Sequence, residues 1–133
     1  MSQHHERVAV LMGGWTAEAS VSRVSASFCG QAARNAGWDA VEIEVERDIA
    51  DTLAELKPSR VFNALHGQIG EDGNIQGLLN IMNIPYTHSG LTASAIAMDK
   101  ILAKTMLAGC GIMVPPTLPL VEDTHVYPEN YRG

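Results

Sequence analysis

The sequence has little cysteine, few aromatic residues and no excess of positive charge. Its two cysteines, Cys29 and Cys110, lie far apart and form no CxxC pair, which is typical of reduced thiols in a cytosolic protein. The formal net charge of −6 argues against a nucleic-acid-binding surface, because such a surface needs a basic patch. No apolar run approaches the length of a membrane span, and the polar amino terminus lacks the apolar segment of a signal peptide. We therefore expect a cytoplasmic protein without membrane or nucleic-acid partners.

At 133 residues the chain is long enough for one domain with a buried core, and 46% of its residues are hydrophobic. A charged fraction of 18% is ordinary for a soluble globular protein. None of the histidines shows the spacing typical of metal ligands; they are His4, His5, His66, His88 and His125. We therefore expect no metal site within this chain.

Segments with the periodicity of strands alternate with segments that have the periodicity of helices. Continuous apolar runs predict central strands of a parallel sheet at 8–12 and 61–65, and shorter patterns predict strands at 41–45 and 84–87. Helical spacing predicts helices over 17–35, 49–56, 75–82 and 91–108, the last one broken near Asp99. This alternation implies an α/β fold with an open, mainly parallel sheet of about four strands, flanked by helices on both faces.

Three segments have distinctive patterns. Glutamates alternate with apolar residues at 41–46, which leaves one face wet and predicts a strand near a sheet edge. No convincing period is visible over 117–133, which we expect to be a tail. In the first helix four apolar residues fall on one face, as in an amphipathic helix: Val21, Val24, Phe28 and Ala32.

A glycine-rich loop that begins with a histidine follows the strand predicted at 61–65. His66 is followed by Gly67, Gly70 and Gly73, and glycines permit backbone conformations that other residues resist. Asp72 is placed to cap the next helix. Open α/β sheets bind ligands at the carboxyl ends of their strands, so this loop is a candidate binding site. The alternative is that His66 is only a hydrogen-bonded turn residue.

The turn after the first strand carries two glycines and then an acid. Gly13 and Gly14 are followed by Glu18 in the first helical turn, without the third glycine of a dinucleotide fingerprint. A carboxylate at this position would repel a pyrophosphate and attract an ammonium group. The alternative is an ordinary acid that is stabilised by the helix dipole, an effect of roughly 0.3–1 kcal/mol.

Three other charged residues have simpler alternatives. Glu71 and Asp72 are adjacent in a turn, where side chains point in different directions, so a structural role is favoured over an acid–base or metal pair. Lys100 is typical of a solvated helix lysine, although a compact positive charge also suits phosphate oxygens.

Two dense motifs and one short one carry a resemblance to a known family. The loop from His66 to Gly77 fits H-G-x-x-G-E-D-G-x-x-Q-G, the first turn fits G-G-x-[ST]-x-E-x-x-V-S, and Met98-Asp99-Lys100 fits M-D-K. In these motifs the chain resembles the D-alanine–D-alanine ligases from about 7 to 116. The resemblance implies a Rossmann-like, substrate-binding amino-terminal domain over 1–116. It makes 117–133 a linker or the truncated start of an ATP-grasp central domain.

The resemblance also implies roles for particular residues. Glu18 and His66 would be catalytic, Glu18 by holding the ammonium end of the first D-alanine and His66 by approaching its carboxylate. Val21, Ser22 and Gly67 would contact the substrate. Lys100 would bind the ATP phosphates. Three residues depart from what is common in the family: Ala19, Ser20 and Gln68.

The resemblance implies that complete ligases need further domains for their activity. They join two D-alanines for peptidoglycan synthesis through an acyl phosphate, with ATP and Mg²⁺ that are held mostly by further domains. We expect the isolated chain to be folded, inactive and a homodimer. Open alternatives are a non-catalytic binding or dimerisation module, and a related ligase that joins D-alanine to D-lactate or D-serine.

Overall fold

A computed structural model describes residues 6–116 of the chain. Its three strands, β1 (Arg7–Gly13), β2 (Asp39–Val45) and β3 (Arg60–Asn63), form a parallel sheet in the order β2-β1-β3. Every residue from Val8 to Leu11 is buried, as expected of the apolar central strand. The prediction of an α/β fold with a parallel sheet is therefore confirmed, and β2 lies at an edge of this sheet.

Five helices accompany the three strands, and they are α1 (Ala19–Asn35), α2 (Ile49–Leu56), α3 (Asn74–Ile81), α4 (Leu91–Met98) and α5 (Lys100–Gly109). The central strand packs on both faces. Val8 and Val10 of β1 meet Ala26 of α1 on one face, while Ala9 and Leu11 meet residues of α2 and α3 on the other. Within 6–116 no helix is long and apolar enough to cross a membrane.

Within residues 6–116 the sheet has three strands, whereas about four were expected. The segment predicted as a fourth strand makes a single parallel bridge, between Val61 and Tyr86. Its backbone bonds are Val61 N–H to Pro85 O, at 2.8 Å, and Thr87 N–H to Val61 O, at 3.1 Å. A longer ladder cannot form because Pro85 has no N–H to donate and His88, with φ at +80°, turns the chain away.

The helix α1 buries a different face from the one its apolar residues suggest. Its buried residues are small, namely Ala19, Ser22, Ala26 and Gly30. The apolar stripe is exposed instead, with Val21 55%, Val24 58% and Phe28 74% accessible. Small side chains let the helix axis approach the sheet closely. A Cβ at Gly30 would collide with the carboxylate of Glu42.

The break predicted near Asp99 is present. Oδ1 of Asp99 accepts hydrogen bonds from the backbone N–H groups of Ile101, at 3.0 Å, and Leu102, at 2.9 Å. These are donors that the first turn of a helix leaves without a partner. The carboxylate therefore starts α5 as a separate helix after α4.

Candidate active site

The topology of the sheet places a crevice between β1 and β3. From β1 the chain crosses to β2 on one side, then returns past β1 to β3 on the other. Loops at the carboxyl ends of two strands diverge at such a reversal, which is where open α/β sheets bind ligands. The two loops here are 14–18 after β1 and 64–73 after β3.

Ser22 ties the ends of these two strands together. Its Oγ accepts a hydrogen bond from the backbone N–H of Gly13, at 2.9 Å, and donates one to the carbonyl of Ala64, at 2.8 Å. Ser22 is only 1% exposed, and a hydroxyl has one hydrogen to donate. In this geometry Ser22 fixes the floor of the crevice, and its predicted substrate contact stays a prediction.

Glu18 reaches across the crevice to the loop after β3. Its carboxylate lies so close to the Cα of Gly67 that a Cβ built on this glycine would collide with it. Gly67 also has φ at +67°, a conformation that glycine adopts without steric cost. The sequence patterns around the two loops therefore meet in space, and the Glu18 side chain is exposed at the mouth of the crevice.

His66 occupies the same side of the crevice. Its Nε2 lies 3.0 Å from Oγ of Ser25 on α1. Ser25 follows Glu18 by about two helical turns, so both residues lie on the flank of α1 that faces β3. The structure thus brings together Glu18, His66 and Gly67, while their predicted roles stay predictions.

The acidic pair of the loop stiffens the backbone. Glu71 accepts a hydrogen bond from the N–H of Gly67, at 2.7 Å. Asp72 accepts from the N–H of Ile69, at 2.9 Å, and from the N–H of Asn74, at 3.1 Å. Carboxylates that bridge backbone donors in this way hold a turn. Both acids thus have a structural role, but the prediction that Asp72 caps the next helix is wrong, because the residue at the N-cap of α3 is Gly73, which makes no side-chain cap bond.

Buried amides hold the middle of the same loop. The carbonyl of Gly70 accepts hydrogen bonds from Nδ2 of Asn63, at 2.8 Å, and from Nε2 of Gln76, at 2.7 Å. A Cβ on Gly70 would collide with Leu65, so only glycine permits this approach. The loop is therefore fixed by the two elements on either side of it, β3 and α3.

Another cleft lies beside this loop, next to α4. It has a volume of about 210 Å³ and is lined in part by Gly70, Gln76, His88 and Ser89. His88 is held by a contact of 2.7 Å between its Nε2 and the carbonyl of Asn63. His88 and Ser89 therefore help to shape this cleft.

The other predicted site residues lie at the margin of the crevice or outside it. Val21 is on the exposed stripe of α1, about one turn after Glu18. Lys100 is exposed in the first turn of α5, beside the capping Asp99, and makes no ion pair in the described part of the chain. The structure therefore gives Lys100 no contact with the residues of the crevice.

Ser25 was missed in the sequence analysis. Its signal was its spacing, since a residue about two turns after Glu18 must share a flank of the helix with it. The sequence could not show that His66 would approach this flank, because the distance between β3 and α1 depends on the order of the strands.

Comparisons with known proteins show which proteins the chain is similar to. A family model described as the D-ala D-ala ligase N-terminus matches residues 44–89. The chain is 53% identical over 114 residues to a D-alanine–D-alanine ligase of Xanthobacter autotrophicus, which covers 86% of this chain and 36% of that protein. It is 49% identical over 129 residues to a D-alanine–D-alanine ligase of Cereibacter sphaeroides, with 94% of this chain and 42% of that protein covered.

Solved structures show the same relation. The crystal structure of D-alanine–D-alanine ligase from Bacillus anthracis superposes with a TM-score of 0.78 at 31% identity, covering 92% of this chain and 40% of that chain. The same enzyme complexed with ATP gives a TM-score of 0.76 at 29% identity, covering 93% of this chain and 43% of that chain. The chain spans about two fifths of the length of these relatives. On its motifs, its fold and these matches, the chain belongs to the D-alanine–D-alanine ligase family and corresponds to the amino-terminal part of its members.

Proposed function

We propose that the chain supplies the substrate-gripping domain of an ATP-dependent ligase that joins two D-alanines for peptidoglycan synthesis in the cytoplasm. Residues 1–116 would form this domain, and 117–133 would lead to the ATP-grasp domains of a complete ligase. The supporting observation is that the carboxylate of Glu18 lies against Gly67, the residue that follows His66, while His66 contacts the same helix through Ser25.

The charges of this crevice suit a small zwitterion. The carboxylate of Glu18 would attract the ammonium group of the first D-alanine, and the imidazole of His66 would donate a hydrogen bond to its carboxylate. A donor at the carboxylate would offset the negative charge that hinders its approach to the ATP phosphate. The absence of a Cβ at Gly67 lets the carboxylate of Glu18 lie close to the backbone beside His66.

We expect ATP and Mg²⁺ to be held mostly by further domains of a complete ligase. No group of three or more possible metal ligands occurs within 6–116. The backbone N–H groups at the start of α5 donate hydrogen bonds to Asp99 and are not available to a phosphate. The negative charge of Asp99 would also repel a phosphate at this helix end. Lys100 offers a single exposed positive charge. ATP and Mg²⁺ would therefore need other parts of a complete ligase, with Lys100 as one contributor to the phosphate site.

Titration of the ¹⁵N-labelled chain with D-alanine tests the proposal. We expect shifts of the backbone resonances in the two crevice loops, and a response to L-alanine that is much weaker. Glu18→Gln should weaken D-alanine binding by about tenfold or more, because a hydrogen bond to a charged group contributes roughly 1.5–3 kcal/mol. Glu55→Gln, an exposed acid on α2, is the matched control. Equal affinity of Glu18→Gln and the unmodified chain would contradict the role of Glu18.

Turnover tests the division of labour between domains. With ATP, Mg²⁺ and D-alanine we expect no phosphate release above background, since most ligands of the nucleotide and the metal would belong to the further domains of a complete ligase. Release that depends on D-alanine would show that this chain alone carries the active site.

The exposed stripe of α1 supports a second proposal, that two copies of the chain associate. Val21, Val24 and Phe28 form a continuous apolar strip, each more than half exposed, and such strips are typical of protein–protein contacts. Phe28→Asp should convert a dimer into a monomer in sedimentation velocity measurements. Ile81→Asp, at an equally exposed apolar residue on α3 that is 86% accessible, should leave the dimer intact. A monomeric unmodified chain would contradict the proposal.

A further inference from the structure

A serine of α1 contacts the imidazole of His66. Oγ of Ser25 lies 3.0 Å from Nε2 of His66, and both side chains are half-buried. Within the part of the chain that the structure describes, neither side chain makes another hydrogen bond. The two groups therefore depend on each other for hydrogen bonding, and Nδ1 of His66 remains available to a guest.

The positions of the two partners are not fixed equally well. Ser25 is part of the long helix α1, next to Ala26, which is fully buried against the sheet. One turn earlier Ser22 bonds to the ends of both β1 and β3. His66 lies instead in a loop and precedes Gly67, whose φ is +67°. Groups on packed helices are held more precisely than groups on loops, so Ser25 is suited to orient the ring.

We propose that Ser25 is a positioning residue that donates its hydroxyl hydrogen to Nε2 of His66. A neutral imidazole has one N–H donor and one acceptor nitrogen. If Nε2 is the acceptor, the ring proton is on Nδ1. The Nδ1–H group then becomes the donor that the crevice offers to the carboxylate of the amino acid. This inference rests on the proposed function, because only an anionic guest requires a donor at that position.

A hydroxyl is suited to this task for a second reason. When the ring gains a proton, both nitrogens become donors, and the oxygen of Ser25 can then accept from Nε2–H. The same contact thus holds the ring in one orientation in both states. Alanine at position 25 would leave the ring free to rotate and to exchange tautomers.

The tautomer of His66 tests the inference directly, without any ligand. Long-range ¹H–¹⁵N correlation spectra of the labelled chain, at a pH where the ring is neutral, should show Nδ1 protonated and Nε2 unprotonated. Ser25→Ala should lose this preference, and Ser25→Thr, which keeps a hydroxyl, should restore it. Ser27→Ala, at an exposed serine of the same helix, should leave the spectrum unchanged. An Nε2–H tautomer in the unmodified chain would overturn the inference, even if the Ser25→Ala variant fails to fold.

Titration with D-alanine separates this inference from the proposed function. A ring that spends only a fraction of its time in the competent form lowers the apparent affinity by that fraction. We expect Ser25→Ala to weaken binding by roughly three- to tenfold, and Ser25→Thr and Ser27→Ala to retain it. A chain that binds no D-alanine in any variant would refute substrate binding by this domain, while the tautomer spectra would still decide the hydrogen bond. Unchanged affinity together with a changed tautomer would refute the positioning role alone.

Discussion

Replacement of Ser22 by alanine distinguishes a structural serine from a substrate contact. The family resemblance places Ser22 against the substrate, whereas the structure places its hydroxyl between the N–H of Gly13 and the carbonyl of Ala64, at 2.9 and 2.8 Å. The side chain is buried, with 1% of its surface exposed. The two accounts predict different losses, the first in affinity and the second in stability.

The structure sets the size of the loss in stability. Alanine removes the hydroxyl and leaves both a buried donor, at Gly13, and a buried acceptor, at Ala64, without this partner. A buried polar group without a partner costs about 1–3 kcal/mol. We therefore expect the free energy of unfolding to fall by about 2–4 kcal/mol, which is a large part of the 5–15 kcal/mol typical of a whole domain.

Urea unfolding, followed by circular dichroism, measures this loss. Ser27→Ala makes the same change at an exposed position of the same helix and should alter stability by less than about 0.5 kcal/mol. The reasoning would be refuted if Ser22→Ala unfolded at the same urea concentration as Ser27→Ala. If Ser22→Ala kept the stability of the unmodified chain but bound D-alanine much more weakly, the hydroxyl of Ser22 would be a substrate contact.

Three further predictions concern other parts of the fold. Asp99→Ala should speed hydrogen exchange in the first turn of α5 by about fivefold, which corresponds to a cap worth roughly 1 kcal/mol. Asp48→Ala, at the start of α2 where no side chain makes a cap bond, should not speed exchange in the first turn of α2. Because the hydrogen bond from Arg34 lowers the pKa of Glu42 below 4.5, Glu42→Gln should reduce stability at neutral pH. That reduction, measured by urea unfolding, should vanish as the pH falls through the lowered pKa, and a constant difference would contradict it. Gly67→Ala should displace the carboxylate of Glu18 and lower the free energy of unfolding by about 1–2 kcal/mol. An unchanged position of this carboxylate in a crystal structure of the variant would refute the predicted collision.

Much of the fold was predictable because it depends on local spacing. Helical periodicity predicts α2 and α3, and the alternation with glutamates predicts the edge position of β2. The capping side chain of Asp99 predicts the break before α5. The fourth strand and the buried face of α1 did not follow. A proline within a short apolar segment removes a backbone donor, and the effect on strand pairing depends on the neighbouring strand. The helix α1 packs so close to the sheet that its buried face must carry small residues rather than large ones.

The candidate site divides in the same way. The sequence by itself determined which chemical groups are present: an acid at the start of α1, a histidine after β3 and glycines that permit close approach. Only the tertiary structure decided which of them meet, because the order β2-β1-β3 brings the loop after β3 against α1. It thereby joined Ser25 to His66 and directed Ser22 into the protein interior, since contacts between distant segments depend on strand order and helix packing rather than on spacing along the chain.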